Sequence, residues 1–183
     1  HGHGTFTSGI ICGGDGMGPF TDDIGVAPGA KLVVVKCFNA SGAGTYEWID
    51  SAMQWIADIK VDSNVNIRAV SNPWGTIDLT SLHWWDICNT WKTLRILGIF
   101  GVGGGGPGSG TVVVPANYPL VMGIGSVDQT GNVAPFSGRG PAPNMYPWND
   151  STFWYRPDWN LIKPDLLAPG VNIRSSYLGG GYM

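Results

Sequence analysis

His3 stands between Gly2 and Gly4, ahead of Thr5, Phe6, Thr7, Ser8 and Gly9, with the apolar pair Ile10-Ile11 behind. Imidazole titrates near neutrality, so one side chain can take up a proton and hand it back within a single reaction cycle. Glycine lets the backbone run close to its neighbours, and Thr5 can accept a hydrogen bond from the free amides of a starting helix. The spacing predicts a general base presented at the start of a buried helix. Two other chemistries are open to the same residues. His3 can be an ordinary surface histidine, or a free amine at His1 can join it in a square-planar copper or nickel chelate. The chelate needs His1 to be a true N-terminus, whereas the chain opens abruptly inside what reads as a functional motif.

Other reactive residues are few. Cys12, Cys37 and Cys88 cannot all pair and show no C-x-x-C spacing, so they read as small buried hydrophobes. The glycine-rich stretch 12–24 carries Asp15, Asp22 and Asp23, oxygen ligands suited to a structural calcium. The alternation of an EF-hand loop is absent, which predicts a solvated loop, and no other cofactor is expected. The four glycines of residues 103–106 lack both the G-x-G-x-x-G spacing and a helix opening after them, which argues against a nucleotide site.

The elements that must position these residues follow from periodicity. Residues 31–36 form a near-continuous apolar run between two lysines, the pattern of a central parallel strand. Trp48, Ile49, Ala52, Trp55, Ile56 and Ile59 fall on one helical face and predict core packing. Residues 65–70 read as a second strand, ending at Ser71-Asn72-Pro73-Trp74-Gly75. A second helix begins near Ser81, with Trp84, Ile87, Cys88, Trp91 and Leu94 inward and Gly98 closing it. Residues 99–102 and 120–127 read as further strands. Strands alternating with helices imply an α/β fold with a mainly parallel sheet flanked by helices, whose ligands gather beyond the strands' carboxyl ends. Those ends carry Pro73-Trp74-Gly75 and residues 103–106. At 183 residues the chain fits one domain. Its formal charge of -3 gives no polyanion-binding signal, and no apolar run approaches the roughly 18 residues of a membrane span. Nucleic acid and a membrane span are therefore not expected. Beyond residue 137 periodicity fades. Trp148, Phe153, Trp154, Tyr155 and Trp159, set among prolines and aspartates, read as an aromatic, proline-rich insert at about residues 141–162. It either anchors a loop to the body or lines a binding surface.

Several segments together resemble the subtilisin-like serine proteases, and among them the bacillopeptidase-like branch. His3-Gly4-Thr5-Phe6-Thr7-Ser8-Gly9 is similar to that family's histidine motif, H-G-T-H-x-x-G. Gly25-Val26-Ala27-Pro28 and Val33-Val34-Val35-Lys36 follow it. Next in the family's order come Gly106-Pro107-Gly108-Ser109-Gly110-Thr111, Pro115-Ala116-Asn117-Tyr118-Pro119 and Phe136-Ser137-Gly138-Arg139-Gly140-Pro141. Lys163-Pro164-Asp165 and Ala168-Pro169-Gly170-Val171 complete the set. The resemblance implies a subtilisin-like three-layer domain over residues 1–183, incomplete at both ends. It further implies a secreted or extracellular protein that cleaves polypeptides by a Ser-His-Asp triad, with His3 as general base. The triad Asp would lie upstream of His3 and the Ser downstream of Met183, so the segment alone should be inactive. Without the helix that bears the nucleophile, apolar surface on Val33, Val34 and residues 99–102 should be exposed unless other chains cover it.

Two positions depart from the family pattern. Aligning Gly106-Pro107-Gly108 with A-G-N-x-G-P-G puts Gly104 where the family carries the Asn whose amide donates to the oxyanion. Pro73 stands where the family has Ser in a strand that pairs with substrate backbone, and proline has no N–H. Trp74 and Gly75 would flank the primary specificity pocket, with Gly101, Val102 and Gly103 opposite. Those small residues imply room for a large apolar or aromatic side chain. The departures leave a second reading, a catalytically inactive protease-derived domain used as an extracellular binding or assembly module.

Overall fold

Short apolar runs separated by helical segments build a parallel sheet. The structure, a computed structural model, describes residues 2–14, 24–63, 65–155, 158 and 160–181. Strands β1 (Ala69–Asn72), β2 (Leu97–Gly101), β3 (Met122–Val127) and β4 (Leu166–Pro169) lie in that order, each parallel to its neighbour. Ser71 is in register with Ile99, Ile99 with Met122, and Ile124 with Leu166. The helices are α1 (His3–Cys12), α2 (Tyr46–Asp62) and α3 (Trp85–Thr93). Two compact units form, one from residues 1–52 and 172–183, the other from residues 53–171. The whole sheet belongs to the second.

Residues 31–36 are not the central strand their composition predicts. They run outside any strand, and Leu32, Val33 and Val34 are exposed. A strand persists only as part of a ladder, and among the described residues no sheet pairing or bridge includes this run. The expectation of bare apolar surface holds at Val33 and Val34. It fails at residues 99–102, where Phe100 and Val102 are buried. The second strand starts later than residue 65, because only from Ala69 does the chain enter register with β2. β4 falls in the stretch where periodicity had faded.

Helix α2 buries Ile49, Ala52, Met53, Ile56 and Ala57, but Trp48 and Trp55 of the predicted stripe remain exposed. On a 17-residue helix the apolar arc is wider than the face it covers. α3 buries Cys88 and Trp91, with Trp84 buried at its cap. Burial pushes the Cys88 thiol well above its ordinary pKa, which suppresses the nucleophilic thiolate. Cys12 and Cys37 are half-buried, and all three are free. Gly98 does not close this helix. Arg95, in the left-handed region at φ 57°, turns the chain, and the Ile96 amide donates back to Trp91 at 2.8 Å. Gly98 lies inside β2, where a Cβ would press on Phe100, Val121 and Trp91 at 3.1–3.4 Å. Its missing side chain lets α3 pack closely on the sheet.

Lys163-Pro164-Asp165 ties β4 to β3. The Lys163 side chain is fully buried, and its Nζ donates to Val121 O at 2.9 Å and to Asp165 Oδ2 at 2.6 Å. The same carboxylate oxygen accepts from the Gly123 amide at 2.6 Å. Burial pushes the Lys163 pKa down and the Asp165 charge pushes it back up.

The aromatic insert anchors. Trp148 is completely buried, and its Nε1 donates to Asn117 Oδ1 at 3.0 Å, while Trp154 Nε1 donates to Trp148 O at 2.8 Å. Trp85 meets Tyr118, Trp148 and Phe153 edge-on at 5.1–6.1 Å between ring centroids. Lys92 donates to Phe153 O at 2.7 Å with its Nζ 4.7 Å above the Tyr155 ring. Trp159 lies outside the described residues. Trp148→Ala should cost about 3–5 kcal/mol in equilibrium unfolding, because it opens a large cavity and orphans a buried Asn117 oxygen.

Candidate active site

His3 is the first residue of α1 and is exposed. Gly2, the cap residue, sits in the left-handed region at φ 83°, which glycine adopts without penalty. No side chain caps the helix, so Thr5 is not the acceptor its position predicts: it lies inside the first turn. α1 approaches residues 175–176 at Gly9, where a Cβ would overlap both serine hydroxyls, and Ser175 Oγ donates to Phe6 O at 2.6 Å. Only Gly9 of this helix is fully buried. The helix is held along one side and presents its first turn to solvent.

The second unit carries the remaining candidates at the carboxyl ends of β1 and β2. Pro73-Trp74-Gly75 leaves β1 after the buried Asn72, whose amide donates to Val70 O at 3.0 Å and Ile99 O at 3.4 Å. Trp74 packs edge-on against Trp84 at 5.1 Å and Phe100 at 5.3 Å, so its ring supports the sheet. Pro73 and Gly75 are exposed. Gly101 ends β2, Val102 is buried, and Gly103 follows at φ 82°. A Cβ at Gly104 would meet nothing within 4 Å, and Gly104 does not have a left-handed backbone. Gly104, the residue the resemblance aligns with the family's oxyanion asparagine, borders open space and not a crowded turn.

Residues 136–141 brace this loop, a role no motif spelled out. Gly106 donates to Phe136 O at 2.8 Å, Gly138 to Gly103 O at 3.0 Å, Thr111 to Arg139 O at 2.7 Å and Gly110 to Gly140 O at 2.9 Å. Gly138 has to be glycine, since a Cβ there would collide with Val102 O. Val113, which reading the sequence did not single out, is buried against Gly75 and Gly103. An apolar residue in a Val-Val-Val run carries no signal of which residues it will pack against.

Asp15, Asp22 and Asp23, the residues suited to calcium, lie outside the described residues. Among the described residues no cluster of His, Cys, Asp and Glu has metal-binding geometry, and no helix is long and apolar enough to cross a membrane.

The parallel four-strand sheet with its helices is the α/β architecture of the subtilisin type of fold. The subtilase family matches residues 1–182, and the chain belongs to that family. It is 36% identical to bacillopeptidase F of Bacillus subtilis (strain 168), over 98% of this chain and 12% of that protein. It is 28% identical to Subtilisin Savinase of Lederbergia lenta, over all of this chain and 55% of that one. Among solved structures, Sphericase superposes with a TM-score of 0.76 at 25% identity, over 100% of this chain and 57% of its own. A cold adapted subtilisin-like serine proteinase gives 0.73 at 22% identity, over 100% and 54%. The chain spans about half the length of these relatives and a far smaller share of bacillopeptidase F.

Proposed function

We propose that these residues are the central part of the catalytic domain of a secreted serine endopeptidase that hydrolyses polypeptides by acyl transfer. His3 is the general base: it takes the proton of a serine hydroxyl as that oxygen attacks the scissile carbonyl, then returns it to the leaving amine. An aspartate fixes the imidazole tautomer. The serine and aspartate belong to the parts of the relatives that this chain does not span. Pro73-Trp74-Gly75 and Gly101-Val102-Gly103 flank the substrate, and Gly104 stands at the oxyanion position. The observation that carries this reading is the match of residues 1–182 to the subtilase family, and the likeness of residues 3–9 to the motif H-G-T-H-x-x-G supports His3 as the base.

One observation favours a catalytically inactive extracellular binding or assembly module instead. Gly104, at the position where the family carries the asparagine donor, has no side-chain donor for an oxyanion. A serine-directed fluorophosphonate probe separates the two. Covalent labelling of the full-length protein is the result expected of a protease, and a folded sample that resists labelling would favour the inert module.

A further inference from the structure

We propose that Asn117 and Tyr118 are positioning residues for substrate binding, and that Trp148 of the aromatic insert sets the orientation in which Asn117 acts. This role rests on reading residues 73–75 as a wall of the substrate cleft. The wall continues into residues 76–81, and the insert reaches that continuation through one side chain.

Residues 76–81 lie in no helix or sheet strand, and Ile77 is 88% exposed. A segment without its own ladder takes its shape from hydrogen bonds to other segments. Three points along it are held by residues 114–118. Thr76 and Val114 exchange amide hydrogen bonds at 2.8 and 3.1 Å. Farther on, Asn117 Nδ2 donates to Leu79 O at 2.8 Å, and Tyr118 Oη donates to Ser81 O at 2.6 Å. Both side chains are buried. An asparagine amide holds a carbonyl with its nitrogen and repels it with its oxygen, so the way round it sits decides whether Leu79 is held. An indole nitrogen can only donate. Trp148 Nε1, 3.0 Å from Asn117 Oδ1, therefore admits only the oxygen on its side. That turns the amide nitrogen toward Leu79 O and toward Val112 O at 3.4 Å. The Trp148 ring also lies 6.0 Å from the Tyr118 ring between centroids. One indole of the insert thus orients the amide and packs beside the phenol that hold residues 76–81. An apolar side chain at 117 could fill the same space, but it could not hold Leu79.

The test uses the full-length protein, an extended peptide substrate and a small fluorophosphonate probe, which reacts at the serine without lying along the wall. Asn117→Leu keeps a similar shape and releases the Leu79 carbonyl. It should raise KM for the peptide by roughly 10- to 100-fold, the scale of a displaced substrate-positioning segment. Contacts along the wall act equally in ground and transition states, so kcat and the labelling rate per folded molecule should stay within about twofold of wild type. Trp148→Phe and Tyr118→Phe each keep a ring and delete one donor. Both should raise KM severalfold, and they carry the test if Asn117→Leu does not fold, with circular dichroism counting the folded fraction. A parallel fall in labelling rate and in peptide kcat/KM would make these residues structural and overturn the positioning role. An unchanged KM in folded Trp148→Phe or folded Tyr118→Phe, with labelling intact, overturns it as well and leaves the protease reading standing. A wild type that neither labels nor hydrolyses the peptide overturns the protease reading, and the positioning role with it.

Discussion

Replacing His3 with alanine in the full-length protein should lower kcat by about 10⁶-fold, the magnitude being that of the same change in subtilisin itself. The loss is that large because a serine hydroxyl is almost fully protonated at neutral pH and becomes a nucleophile only as a base removes its proton. His3 is exposed and opens α1, so alanine there removes the imidazole without opening a cavity. Alanine is also a good helix former, so the melting temperature should move by only a few degrees. Steady-state kinetics on a peptide substrate, with circular dichroism as the folding control, measure both. Activity within tenfold of wild type would remove His3 from the mechanism. A large loss of kcat accompanied by unfolding would instead make it a structural residue.

Gly104→Asn should raise kcat by about 10² to 10³, again a magnitude taken from subtilisin, where the corresponding donor has been removed. In most proteins a glycine-to-asparagine change in a tight loop is strained. Here the backbone is outside the left-handed region, and nothing lies within 4 Å of the new Cβ. The bracing from residues 136–141 holds the loop from its other side, so the added amide reaches open space without displacing a neighbour. Gly104→Ala separates the causes. It stiffens the backbone as asparagine does but supplies no donor, so it should leave kcat near the wild-type value. Equal gains from Ala and Asn would assign the effect to backbone rigidity. No gain from Asn would mean that the oxyanion is served by another group.

Elements set by local pattern were legible in the sequence. The i, i+3, i+4 spacing of Ile49, Ala52 and Ile56 marks a buried helical face, and the apolar runs 99–102 and 120–127 mark two parallel strands whose observed bounds, Leu97–Gly101 and Met122–Val127, differ by one or two residues at an end. Where local pattern and partners disagree, partners win. Residues 31–36 carry the stronger strand composition, yet β4, shorter and with exposed Leu166 and Leu167, is the segment that joins the ladder. Strand propensity measures how well side chains suit a pleated surface, and that surface exists only when another strand supplies hydrogen bonds.

The sequence by itself determined which groups are present to react: an imidazole ahead of a helix, and no donor at residue 104. Those are matters of covalent identity, together with motif order, and folding cannot add to them. Only the tertiary structure decided how much room surrounds them. The shape of the loop around residue 104 depends on hydrogen bonds brought in from residues 136–141, and the room at Gly75 depends on where Val113, 38 positions later, sits. Steric volume is a property of contacts between distant residues.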